Sequence, residues 1–194
     1  MFAFEKDALE KSLTADLPMI LEENAQLAKQ VVVSDIAALA LLLQDANRIF
    51  VIGAGRTGLM MKAAAMRLMH LGLTVHVVGE TTTPAILKGD VLLAASGSGT
   101  TSTIVKAAEK AHAAGAVVAS LSTTASSPLA AVSRLVLLIP AAQKQDFQGA
   151  ISRQYAGSLF EQSVLIITDA LFQAMWKLTD APAEEVWKRH ANME

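Results

Sequence analysis

The chain has 194 residues, of which 53% are hydrophobic and only 18% charged, with a formal net charge of −2 at pH 7. A mean hydropathy of +0.41 and a pI near 6.1 exclude a disordered chain and leave no broad basic footprint for nucleic acid. Aromatic residues at 5% exclude a stacking platform for bases, and zero cysteines exclude a disulfide framework, thiolate metal sites and a cysteine nucleophile.

From the amino end, Leu9, Leu13, Leu17, Ile20, Leu21, Leu27 and Val31 recur at broadly helical spacing over residues 5 to about 32. Pro18 predicts a kink or break in that stretch. Ser34-Asp35 predicts a cap for a second helix, Ile36 to Asp45, completing a helical extension over about 5–46. The pattern then changes. Arg48-Ile-Phe-Val-Ile52 is a short apolar run that stops at Gly53, as a buried parallel strand does. A helix over 57–71 and a strand over 74–78 follow, then a connection at 83–88 and a third strand over 90–95. Residues 101–114 read as helix, 116–121 as a fourth strand, 127–132 as a short helix and 135–139 as a fifth strand. A polar stretch at 141–156, with Gln143, Lys144, Gln145 and Gln148, precedes a long helix at about 158–178 and a short one at 182–190.

Strands alternating with helices define an α/β class: a doubly wound five-stranded parallel sheet flanked by helices, a flavodoxin-like sandwich. The expected organisation is one domain over 1–194, with the extension at about 5–46 and carboxyl-terminal helices at about 158–190. Right-handed crossovers put every strand-to-helix loop on the carboxyl edge of the sheet, where such folds bind ligands. The longest apolar run, Ile36 to Leu43, has eight residues, far short of the roughly 18–20 that span a bilayer. Charges close behind Met1 do not fit a signal peptide. The expectation is a cytoplasmic protein without membrane association.

Two loops on that edge carry the chemistry. Gly53-Ala-Gly55-Arg56-Thr57-Gly58 matches G-x-G-x-x-G, and Glu80, 22 residues after Gly58, stands where a ribose-binding acid is expected. A dinucleotide-binding enzyme is therefore an alternative, although Arg56 would project from the turn that must approach a pyrophosphate. Ser96-Gly97-Ser98-Gly99-Thr100-Thr101-Ser102 follows the third strand and opens a helix. Its glycines let backbone N–H groups turn inward, its hydroxyls add donors, and the helix start adds partial positive charge. This predicts a phosphate site, with Arg56 adding a charge-assisted contact, against the plainer reading of a Ser/Thr cap. No G-x-x-x-x-G-K-[ST] and no carboxylate set for magnesium occur, so a small phosphorylated metabolite fits better than a nucleoside triphosphate.

Glu161, in Gly157-Ser-Leu-Phe-Glu161-Gln, reads either as the acid of a Ser158-x-x-Glu161 capping box or as a general base facing the phosphate loop. His70 ends the first crossover helix, where it is either a dipole partner or a catalytic group. His190 sits in the tail and by default is solvated, while His76 and His112 receive no role. The four histidines show no metal-ligand spacing, and no metal or cofactor is expected.

Six segments resemble a known family when read in order. They are Gly53–Gly58, Met66-Arg-Leu-Met-His-Leu-Gly72, Val78-Gly-Glu-Thr-Thr-Thr-Pro84, Ser96–Thr101, Gly157–Gln162 and Arg189-His-Ala-Asn-Met-Glu194. From about residue 48 onward the chain is similar to the 6-phospho-3-hexuloisomerases, phosphosugar isomerases of the sugar isomerase (SIS) class. The resemblance implies conversion of D-arabino-hex-3-ulose 6-phosphate to fructose 6-phosphate in the ribulose monophosphate route of formaldehyde fixation. It also implies a homotetramer, a sugar-phosphate substrate and a functional link to a hexulose-phosphate synthase. Carried over, Ser96, Ser98 and Thr101 hold the phosphate and Gly55, Arg56 and Thr57 line the site. Glu161 is the base and His70 the second catalytic group; Gly97, Gly99, Thr100 and His190 are additional candidates. Thr100 departs from the family's usual charged residue, and Tyr155-Ala156 from a Pro-Met pair, which puts the shape of those two loops in question. The other class of reading is a phosphosugar-binding module without chemistry.

Overall fold

The computed structural model describes residues 4–144 and 151–193. Gln145 and Gln148 of the polar stretch and Glu194 of the tail motif lie outside the described residues. Helices α1 (Lys6–Ala28) and α2 (Val33–Gln44) precede strand β1 (Ile49–Gly53), helix α3 (Gly55–His70) and strand β2 (Val75–Val77). Then come β3 (Val91–Ala95), α4 (Ser102–Ala113), β4 (Val117–Ser122), α5 (Pro128–Val132), β5 (Leu135–Leu138), α6 (Ser158–Leu178) and α7 (Ala183–Trp187).

The strands form one sheet in the order β2-β1-β3-β4-β5, parallel throughout. Their continuous apolar runs follow from burial on both faces. Ile49, Val51, Val91, Leu93, Ala119 and Leu121 point to one core, which helices α2, α3 and α6 complete with Leu39, Met61, Leu68 and Val164. The alternate residues Phe50, Leu92, Ala94 and Val118 point to the other, covered by Ile104 and Ala108 of α4 and Leu129 of α5. Arg48 and Asp90 lock the amino ends of β1 and β3 with a two-pronged ion pair at 2.6 and 3.1 Å.

Helix α1 continues through Pro18 instead of breaking. Proline leaves the Thr14 carbonyl without its helical donor, but Thr14 lies on the exposed face where water can serve it. Helix α2 likewise starts at Val33, one residue before the expected Ser34 cap, and no side chain caps it. Among the described residues, no single helix is long and apolar enough to cross a membrane.

Candidate functional site

The chain leaves β1 toward β2 on one side and β3 toward β4 on the other, so the sheet order reverses between β1 and β3. Ligands of open α/β sheets bind outside the strand ends at such a point. Gly53 pairs in register with Ala95 there, which brings the Gly-Ala-Gly loop and the hydroxyl loop side by side. Between them opens a cavity of about 480 Å³ whose walls include Thr57, Ser96, Ser98, Thr101, Lys144 and Phe160.

The hydroxyl loop is braced from behind. Gly97 carbonyl accepts from the Thr123 N–H at 3.0 Å, the Thr123 hydroxyl at 2.8 Å and the Ser122 hydroxyl at 3.1 Å. Gly99 has φ +63°, and a Cβ there would collide with the Ser127 side chain, so only glycine suits the turn. Ser96 is buried, its hydroxyl 3.2 Å from that of Thr101, and the Ser98 and Thr100 hydroxyls stand 2.8 Å apart. Thr101 is the N-cap of α4 but makes no side-chain cap bond, so the loop is not a plain Ser/Thr cap. Thr101 and Ile104, at the start of α4 where a helix leaves its first N–H groups without internal acceptors, line the cavity. Thr100, where the sequence departs from its family pattern, keeps a cavity-lining place.

Glu161 is buried, and its carboxylate accepts from Arg56 Nη1 at 2.9 Å through Oε2 while Oε1 lies 3.8 Å from Lys144 Nζ. The capping box is not formed. Helix α6 has Gly157 as N-cap, Ser158 is already its first helical residue, and no side chain caps it. Gly157 has φ +85°, and a Cβ there would lie 2.9 Å from Lys144 Cγ. The Glu161 carboxylate therefore has no capping role and is held between two cations, of which Lys144 lines the cavity. Arg56, expected to reach a phosphate, pairs through Nη1 with Glu161 across 105 residues of sequence. Glu80, the candidate ribose-binding acid, pairs with Lys62 at 2.6 Å.

His70 is brought to a different place. Arg56 and Glu161 meet at the starts of α3 and α6, and Arg67 stacks on Phe172 further along both, so the two helices run in the same direction. At about 1.5 Å per residue, His70 lies roughly 21 Å along α3 from Arg56. It is 1% exposed and stacks on His190 at 3.9 Å between ring centroids; His190 in turn stacks on Trp187 at 4.2 Å. Arg189 Nη1 donates to the His70 carbonyl at 3.1 Å. His190 is therefore packed, not a solvated tail residue. Burial, then the charges of His190 and Arg67, hold the His70 imidazole below its usual pKa.

Lys144 and the Thr124–Ser126 segment also line the cavity and were missed in the sequence. A signal for the second existed: Ser122-Thr-Thr-Ala-Ser-Ser127 is a hydroxyl-rich run leaving β4 on the same carboxyl edge. For Lys144 there was none beyond its place after β5, since nothing local ties it to Glu161.

Fold and site together define an α/β protein with a cavity at the carboxyl edge of a parallel sheet, beside a buried carboxylate. A sequence profile of the SIS domain matches residues 42–169. The 3-hexulose-6-phosphate isomerase of Mycobacterium gastri is 54% identical over 182 residues, spanning 94% of this chain and 92% of its own. That of Bacillus subtilis (strain 168) is 37% identical over 77% of this chain and 82% of its own. A crystal structure of a Methanococcus jannaschii protein, for which 3-hexulose-6-phosphate isomerase function was inferred, superposes with a TM-score of 0.79. It shares 27% identity over 92% of this chain and 99% of its own. The chain belongs to the SIS-domain family and, within it, to the 3-hexulose-6-phosphate isomerases.

Proposed function

We propose that this chain is an enzyme that interconverts D-arabino-hex-3-ulose 6-phosphate and D-fructose 6-phosphate by moving a proton between C2 and C3. The observation that carries this reading is the buried Glu161 carboxylate, 3.8 Å from the cavity-lining Lys144 and one residue after the cavity-lining Phe160, beside a cavity whose wall includes a hydroxyl-rich helix start. The phosphate is received by the Ser96, Ser98, Thr100 and Thr101 hydroxyls and the N–H groups of the α4 first turn, where the helix dipole favours an anion. Binding at that remote end positions C2 and C3 against the carboxylate, so it contributes to rate as well as affinity.

Glu161 removes the proton on C2, a 2,3-enediol forms, and the proton returns at C3. Arg56 fixes the carboxylate through one oxygen. Lys144, which lines the cavity, is a second cation close to where negative charge develops, and a preorganised cation there stabilises an enediolate. The hexulose phosphate needs no ring opening, because a five-membered ring from C3 would require the phosphorylated O6. Only fructose 6-phosphate, which closes through O5, must open first.

His70 cannot meet these carbons within one copy, being about four helical turns from the start of α3. Its catalytic role belongs to a homo-oligomer in which the His70–His190 layer of one copy borders the Glu161 cavity of another. Mixing Glu161→Gln and His70→Ala subunits should then restore part of the activity that each lacks alone. No recovery on co-assembly would remove His70 from the mechanism.

The decisive test of the reaction is proton NMR of fructose 6-phosphate with the protein in D2O, beside direct assay of the hexulose phosphate. Wild type should wash out the C3–H signal and Glu161→Gln should not. Tight binding of both sugars with no exchange and no conversion would instead establish a phosphosugar-binding module.

A further inference from the structure

Glu23, on α1, lies far from Glu161 in sequence and outside the cavity, yet its carboxylate gathers three consecutive residues of the segment that leads to Gly157. It accepts from the Ser152 hydroxyl at 2.6 Å, the Arg153 N–H at 2.8 Å and the Gln154 side-chain amide at 3.0 Å. From Gln154 the bonds continue. Gln154 Oε1 accepts from Gln162 Nε2 at 2.8 Å, and Gln162 Oε1 accepts from Asn24 Nδ2 at 2.7 Å. The circuit thus starts and ends on adjacent residues of α1 and passes through Gln162, the residue immediately after Glu161.

A carboxylate can only accept, so it dictates the direction of the chain. Facing Glu23, Gln154 must present its NH2, which leaves its oxygen for Gln162, whose oxygen in turn is left for Asn24. At that end Asn24 Nδ2 also donates to the Ile20 carbonyl at 2.9 Å, which holds its amide in the same direction. One by-product is that Asn24 Oδ1 is buried without a partner among the described residues, an acceptor that only the reversed chain would use. We propose that Glu23 is a positioning residue: through this directed amide relay, α1 sets the segment 152–154 and the start of α6, and so the placing of the Glu161 carboxylate. Burial pushes the Glu23 carboxyl up, but hydrogen bonds from Ser152, Arg153 and Gln154 with the Arg153 charge together hold it below its usual range.

The role in catalysis rests on the proposed isomerase reading; the relay itself does not. Four chains test both: wild type, Glu23→Ala, Asn24→Asp and the double variant Glu23→Gln/Asn24→Asp, compared by kinetics on the hexulose phosphate and by amide hydrogen exchange over 152–162. Glu23→Ala should lower kcat about 10- to 100-fold with KM changed less than about twofold, as expected for a misplaced base. Asn24→Asp places an acceptor at both ends of the relay, so it should slow turnover and speed exchange. In the double variant the relay can reverse: the amide introduced at position 23 donates to Gln154, Gln154 to Gln162, and Gln162 to the carboxylate introduced at position 24. The bond from position 24 to the Ile20 carbonyl is lost there as in Asn24→Asp alone. Activity and exchange should return toward wild type although two residues have changed. A double variant no better than Asn24→Asp alone, or a Glu23→Ala variant with wild-type kcat and exchange, would overturn the proposal. Wild type inactive on the hexulose phosphate would remove the isomerase reading while exchange still judged the relay.

Discussion

At the scale of single residues, the buried His70 makes stability depend on pH with a definite sign. Its folded-state pKa lies below the ordinary value of 6.5 because burial, then His190 and Arg67, disfavour the imidazolium. The unfolded chain therefore binds the extra proton first, and stability falls as pH drops below about 6.5, levelling off once the folded-state pKa is passed. Melting temperatures between pH 5 and 8 should show this slope, and His70→Leu should flatten it. Asp90 works in a lower window. Burial pushes its carboxyl up, but hydrogen bonds from Arg48 and the Leu87 N–H, with the charges of Arg48 and His76, bring it below 3.8. Its contribution is complete above that value and is lost as pH falls through the depressed folded-state pKa, so Asp90→Asn should remove part of the acid transition without touching the histidine phase. Within the hydroxyl loop, Ser98→Ala should lower kcat/KM about 10-fold, the cost of one hydrogen bond to a charged group, with an unchanged melting temperature. Unchanged kinetics would take Ser98 out of the phosphate site.

At the scale of elements, the clearest case is the start of α6. Ser158 and Glu161 have the spacing of a capping box, and sequence alone leaves that reading open. Gly157 decides between them, because its left-handed φ of +85° makes it the N-cap and moves Ser158 into the helix. Gly157→Ala should cost about 1–2 kcal/mol from backbone strain, measured by denaturant unfolding. Activity should fall by more than that strain alone implies, since Lys144 and Glu161 shift together. Elsewhere the elements were legible where the signal is local. Ser127-Pro128 announces α5, and Ser127 does cap it by accepting from the Ala130 N–H at 3.1 Å. The strands stand out because burial on both faces demands unbroken apolar runs. Pro18 does not break α1, because the carbonyl it frees, that of Thr14, lies on the exposed face.

At the scale of the whole molecule, α1 presents Leu9, Leu13, Leu17 and Leu21 at successive four-residue steps, each 43–63% exposed. Such a stripe at constant helical spacing fits burial against another copy, in line with the proposed homo-oligomer. Leu13→Glu combined with Leu17→Glu should reduce the sedimentation coefficient toward that of a monomer, and activity should fall with it if His70 serves a neighbouring site. An unchanged assembly would place the interface elsewhere. Sequence by itself determined the α/β class, the strand and helix order and the candidate residues of the site, because apolar periodicity, glycine turns and hydroxyl runs are properties of neighbouring residues. Only the tertiary structure decided that Arg56 pairs with Glu161, that Lys144 joins them, and that His70 lies about four turns away against His190. Those outcomes depend on which surfaces of distant elements pack together, and no local pattern along the chain encodes them.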